Sequence, residues 1–193
     1  KLMIEKVISG GQTGIDQMAL TVARSLGIET GGFAPRTWLT EAGPAPWLAE
    51  YGLVECDKPN YPRDSCRSDQ RWQWDAEAYR RRTRMNARHS DCTIWVDGPS
   101  DGGGWSCTRN GCHDYGKPIY SVRPSGKNHI NKIVDIIIKS NFKIINFAGP
   151  RLSKLGVSAR TASGSSPESV YEETIRFILA GVNRPGGDQG RLF

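Results

Sequence analysis

The feature that most constrains this chain is a recurring unit. A short β-prone apolar run is closed by glycine and followed by residues with helical apolar spacing. The first unit has Ile4 and Lys6–Ser9 as a buried strand, then Gly10-Gly11. A helix follows from Asp16 to Leu26, carried by Ile15, Met18, Ala19, Val22, Ala23 and Leu26, with Gly27 as its stop. The pattern returns at Cys92–Val96, where the strand is closed by Gly98 and followed by a helix over Ser106–Tyr115 that ends at Gly116. Pro118–Val122 leads to a helix over Asn128–Lys139 through Ile130, Ile133, Val134 and Ile137. Lys143–Phe147 is the last strand, and Ser165-Ser166-Pro167-Glu168 opens a final helix ending near Gly181, with a Ser cap, an early Pro and a first-turn acid. Between the first and second units, Gly31–Pro46 reads as a loop, Tyr51–Glu55 as a short strand and Arg63–Arg67 as a polar connection. A long helix spans Gln70–His89, with Trp72, Ala76, Tyr79 and Met85 as its inward candidates. This order predicts an open, mostly parallel α/β sheet with helices on both faces.

At 193 residues, one ligand-binding domain over 1–183 is expected, with a frayed tail over 184–193. Lys+Arg 26 against Asp+Glu 20 leaves a formal charge of +6. Much of it sits in the run Arg80, Arg81, Arg82, Arg84 and Arg88, with no aromatic-interleaved basic motif. A small anion explains such a local cluster as well as a polynucleotide does, and without an RNA-binding motif no nucleic-acid partner is expected. No segment approaches the roughly 18 apolar residues of a membrane span. The first residues run straight into a strand with no signal-peptide pattern, so a cytoplasmic protein is expected. Five cysteines (Cys56, Cys66, Cys92, Cys107 and Cys112) cannot all pair and read as reduced thiols. Cys107, Cys112 and His113 fit no common zinc module, and a second ligand pair is missing, so no metal site is assigned.

In an open parallel sheet, ligands bind beyond the carboxyl ends of the strands. Three glycine-bearing turns fall there: Ser9–Asp16, with Gly10, Gly11, Gln12 and Thr13; Gly98–Thr108, with Ser100, Gly102, Gly103, Gly104, Ser106 and Thr108; and Gly149–Ser153, with Arg151. Glycine lets backbone approach a ligand, and a helix N-terminus aims N–H groups at an anion. Neither of the first two turns is a G-x-x-x-x-G-K-[ST] loop or a clean G-x-G-x-x-G, so triphosphate and dinucleotide cofactors are not indicated. On the long helix, Arg80, Arg84 and Arg88 form a solvated stripe. Arg82 and Asn86 lie on a different side and become binding candidates if that side meets the crevice. Arg36 and Arg151, beside prolines in loops, are further anion candidates. Asp16 at a helix N-terminus is explained by the helix dipole. Asp97 and Asp101 could meet a base-like ring edge or a metal.

The stretches SGGQTGIDQMAL, TGGFAPR with Glu41-Ala42-Gly43-Pro44, YRRRTRMNARHSDCTIWV, YGKPIY and NFAGPR occur in this order from Val7 to Ser153. Together they resemble the molybdenum cofactor carrier proteins, a family of the Rossmann-like superfamily that also holds lysine-decarboxylase-like, cytokinin-activating phosphoribohydrolases. The resemblance implies a Rossmann-like homotetramer that holds the molybdenum cofactor as cargo: a molybdopterin with an oxo-molybdenum dithiolene and a terminal phosphate. Cofactor-biosynthesis and recipient enzymes are its expected partners. One departure bears on activity. The hydrolase relatives carry P-G-G-x-G-T-x-x-E, whose Glu serves the chemistry, whereas this chain reads GPSDGGGWSCTRNGC, with Gly111 three residues after Thr108. A non-catalytic carrier is therefore expected. A hydrolase of nucleotide-derived ligands using Asp16 or Asp101, and a sensor of such ligands, are the alternatives.

Overall fold

The computed structural model describes residues 3–97, 102–124, 127–155 and 166–184. The expected tail from 185 onward, Ser100 and Asp101 lie outside the described residues. Strand β1 (Lys6–Ser9) leads into helix α1 (Ile15–Ser25), followed by β2 (Glu29–Ala34) and a two-stranded hairpin of β3 (Leu39–Thr40) and β4 (Gly43–Pro44). Then come β5 (Leu53–Glu55), α2 (Arg71–Arg88), β6 (Cys92–Val96), α3 (Gly103–Asp114), β7 (Ile119–Val122), α4 (Lys127–Ser140), β8 (Ile144–Ala148) and α5 (Pro167–Val182). Six strands form one sheet in the order β5-β2-β1-β8-β6-β7, and every pairing in it is parallel. This is the expected Rossmann-like architecture. Helices α1, α5 and α4 pack on one another over one face, and α2 packs with α3 over the other. No helix among the described residues is long and apolar enough to cross a membrane.

Because both faces are covered, the central strands carry continuous apolar runs rather than alternation, and all five residues of β6 are buried. The larger core lies on the α1–α4–α5 side, with Val7, Ile15, Val22, Ile94, Ile137, Phe147, Tyr171 and Ile175 fully or almost fully buried. A smaller one, under the β2–β5 edge, joins Leu20, Ala34, Ala45, Leu48 and Leu53. Helix α5 begins as its sequence predicts: Ser166 caps it by accepting the Ser169 N–H, and Pro167 is its first residue.

Three expectations need correction. Residues 31–46 are not all loop, because Glu29–Ala34 is an inner strand between β1 and β5. Its glycines are required by crowding: a Cβ on Gly32 (φ +124°) would lie 2.3 Å from the Ser9 carbonyl oxygen. The second correction concerns α2, where Trp72 points out with 66% exposure and Trp74 is the buried ring. The buried side of the helix runs through Trp74, Ala78, Asn86 and Ala87. The third is the start of α3, at Gly103 rather than Ser106. Gly102 takes the cap position and its carbonyl accepts the Ser106 N–H at 3.2 Å.

Candidate functional site

The strand order places the crevice. From β1 the chain moves outward to β2 and β5, then crosses to β6 and β7, and β8 returns between β1 and β6. Connections therefore diverge at the carboxyl ends of β1, β8 and β6, where an open α/β sheet binds ligands. A cleft of about 740 Å³ lies there. Its floor is made by Gly10 and Gln12 after β1 and by Asn146–Arg151 at and after β8. One wall is the α2 face with Ala76, Tyr79, Arg80, Arg82, Thr83 and Asn86. The other comprises Trp95 and Asp97 at the end of β6 and the start of α3, Gly102–Trp105 with Cys107 and Thr108. Four cations (Arg80, Arg82, Arg151 and Lys154) face two carboxylates, Asp16 and Asp97.

The centre of the site is an ion pair that bridges the first turn of α1 and α2. Arg82 Nη1 stands 2.5 Å from Asp16 Oδ2, with the two side chains only 13% and 4% exposed. The Gln12 backbone N–H donates to the same carboxylate oxygen at 3.2 Å. Burial pushes the Asp16 carboxyl up, and the Arg82 charge with the hydrogen bonds from Gln12 and Arg82 pulls it back without cancelling the shift. Gly10 makes this seat. A Cβ there would lie 1.8 Å from Arg82 Nη1, so the guanidinium rests where a side chain would have been. Asp16 thus does more than answer a helix dipole. No local signal shows this, because its partner is 66 residues away in the chain.

Asn86 is on the same side of α2 as Arg82, and its amide is engaged by β2. Its Oδ1 accepts the Phe33 N–H at 2.9 Å, and its Nδ2 donates to Phe33 O at 3.0 Å and to Arg82 O at 3.2 Å. It borders the cleft as a clamp between helix and strand, holding the turn of α2 that carries Arg82.

A second network ties the first and third turns together through Glu41, at the tip of the β3–β4 hairpin. Its carboxylate accepts the Thr13 hydroxyl, the Ser153 N–H at 3.1 Å and the Ser153 hydroxyl at 2.5 Å. Arg151 Nε is 3.7 Å from it. The Gln12 side-chain oxygen accepts the Glu41 N–H at 2.9 Å, and Thr13 Oγ1 accepts the Leu152 N–H at 3.3 Å. Burial pushes Glu41 up, but the hydrogen bonds from Ser153 and Thr13 and the charge of Arg151 outweigh it and hold the carboxyl below its ordinary value. Gly14 permits the close approach, since a Cβ on it (φ +83°) would lie 2.6 Å from the Leu152 nitrogen.

The structure brings Gly10, Gln12, Arg82, Asn86, Gly102, Gly103, Gly104, Thr108 and Arg151 to one cleft. Thr13 acts behind it, through Glu41. Gly11 (φ +72°) packs on Leu48 of the smaller core, where a Cβ would meet Leu48 Cδ1 at 2.6 Å. Arg36 lies in the turn over Arg36–Trp38, away from the cleft, and Ser106 is not on the cleft wall. Thr108 is buried, and its hydroxyl donates to Gly104 O at 2.9 Å inside α3. Among the described residues, the start of α3 therefore lines the cleft with three glycines and the Trp105 ring rather than with the Ser106 or Thr108 hydroxyl. Trp105 and Lys154 are cleft residues that the sequence did not single out, with the placement of Trp105 just behind three glycines as the one available signal; Tyr79, expected to point inward, and Arg80, expected on a solvated stripe, also line the cleft. Cys107 borders the cleft, while Cys112 is buried with its Sγ donating to Thr93 Oγ1 at 3.3 Å, and His113 is exposed.

Comparison with known proteins agrees with this fold. The model of the circularly permutated YpsA SLOG family matches residues 7–163, a span that includes every residue lining the cleft. A crystal structure described as "Putative molybdenum carrier protein", from Syntrophus aciditrophicus SB, matches with a TM-score of 0.69 and 25% sequence identity, over 94% of this chain and 96% of that chain. No curated protein matches. With its all-parallel Rossmann-like sheet, and a family match running through all three glycine-bearing turns, the chain belongs to the circularly permutated YpsA SLOG family.

Proposed function

We propose that this protein is a molybdenum cofactor carrier, which binds and protects the molybdopterin-type cofactor without turning it over. The observation that carries the reading is the cleft itself, sized for a cofactor, with four cations against two carboxylates and aromatic rings along one wall. Basic side chains suit the phosphate and the molybdenum oxygens, and burial of the cargo slows its oxidation. The similarity to a structure described as a molybdenum carrier supports the same reading.

The absence of turnover rests on the acids. Gly111, within α3, stands at the position where the hydrolase relatives carry Glu, and Asp16 is held by Arg82 and the Gln12 N–H. An acid so engaged is poorly placed to shuttle protons. We further propose that the carrier acts as a homotetramer in which the exposed Trp72 of α2 is covered by a neighbouring copy. Light scattering that gives a 21.3 kDa monomer at micromolar concentration would count against assembly. The test of the main reading is mass spectrometry and pterin fluorescence on ligand released from freshly purified protein. Molybdopterin is expected, and nucleoside monophosphates are expected to release no free base on incubation. Steady base release at enzyme-like rates would replace the carrier by the hydrolase.

A further inference from the structure

The cleft is chemically graded from strand to strand. β1, β8 and β6 lie side by side, so crossing from the first to the third covers roughly 10 Å at ~4.8 Å per step. On the β1–β8 side stand Arg82 on its Asp16 seat, then Arg151 and Lys154. On the β6 side stand two indoles. Trp95 and Trp105 meet edge to face, with ring centroids 5.4 Å apart and an interplanar angle of 65°. Trp95 is nearly buried, with 4% exposure, and backs Trp105, which is only partly buried and borders the cleft. A Cβ on Gly104 would meet Trp95 Cη2 at 3.6 Å and one on Gly103 would meet nothing within 4 Å, so neither glycine carries a side chain over this corner. The hydroxyl of Thr108 is spent on Gly104 O, so the β6 side offers an anion no side-chain hydroxyl from that residue.

We propose that this gradient orients the ligand: a flat, fused heterocycle lies against the Trp95–Trp105 corner, and its anionic end reaches Arg82, Arg151 and Lys154. The proposal rests on the carrier reading and adds to it the direction of the cargo and the residue that selects the ring. Stacking on an aromatic face tolerates any planar heterocycle, whereas the cations at the other end require charge. The two ends should therefore be separable.

The experiment uses two half-ligands on the full-length protein. Pterin (2-amino-4-oxopteridine) carries a ring and no phosphate, and inorganic pyrophosphate carries charge and no ring. Pterin fluorescence should be quenched saturably by the wild type. Trp105→Leu, which keeps an apolar side chain and removes the aromatic face, should weaken pterin binding about ten- to a hundredfold. It should leave pyrophosphate affinity, followed by calorimetry, unchanged, and Trp105→Phe should restore pterin binding. Arg151→Ala combined with Lys154→Ala should show the opposite pattern. Equal pterin affinity in wild type and Trp105→Leu, loss of pyrophosphate rather than pterin in Trp105→Leu, or no pterin binding by the wild type would each overturn the orientation. The carrier reading is judged separately, by the ligand recovered from the purified protein, so the orientation can fail while that reading stands.

Discussion

Replacing Gly10 with alanine drives a methyl group into Arg82. The new Cβ would stand 1.8 Å from Nη1, 2.4 Å from Cδ and 2.6 Å from Cζ. The backbone at Gly10 is not in the left-handed region, so alanine adds no conformational strain and the effect isolates the displaced side chain. A long side chain can swing away, but Arg82 can do so only by leaving Asp16, which is 3% exposed and would keep its charge without its cation. Breaking a buried pair from one side costs about 3–5 kcal/mol. Arg82 retains 13% exposure, which places this case near the lower end, at about 3 kcal/mol. Urea denaturation across a pH series is the assay. Burial already raises Asp16, and without Arg82 it rises further. A carboxyl raised in the folded state keeps its contribution below the unfolded pKa and loses it as pH rises through the folded pKa. The deficit of Gly10→Ala relative to wild type is therefore largest at neutral pH and closes on acidification, as Asp16 becomes protonated in both proteins. A deficit that is flat with pH, or that grows toward acid, would refute the argument that an orphaned Asp16 charge is its source.

Glu41→Ala should loosen the Arg151–Ser153 loop and weaken pyrophosphate binding about tenfold, an effect absent in an Arg151→Ala background; calorimetry on the four proteins of that cycle decides it. Because Glu41 is held below its ordinary value, its stabilisation is present above the unfolded pKa and is lost as pH falls through the folded one. The difference in thermal midpoint between wild type and Glu41→Gln should accordingly shrink in acid. Asn86→Asp should destabilise by about 2 kcal/mol at neutral pH, since a carboxylate cannot donate to Phe33 O or Arg82 O, and denaturant midpoints measure this. Ser106→Ala should bind ligand like wild type, because that side chain is not on the cleft wall.

The legible parts of the chain are those whose cause is local. β1, β6 and β8 are short apolar runs next to glycine, and α1, α4 and α5 carry their apolar residues at helical spacing, so order, type and approximate bounds all follow from nearest neighbours. The three glycine-bearing turns at the sheet edge were legible for the same reason, since glycine at a strand end is a local signal. β2 was not. ETGGFA has little β-propensity, and it is a strand because β1 and β5 pair with it on either side and Asn86 closes on Phe33. The register of α2 was ambiguous because Trp72 and Trp74 are equally apolar, and only the packing against Tyr61, whose carbonyl accepts the Trp74 indole N–H at 2.9 Å, brought Trp74 inside. The roles within the site are the least local of all. Asp16 and Arg82 are 66 residues apart, and Glu41 and Ser153 are 112 apart. The sequence alone determined that the chain folds as alternating strands and helices with glycine turns at one sheet edge. Which side chains meet at that edge was decided by the tertiary structure, because a buried charge acquires its partner only when the sheet order brings distant segments together.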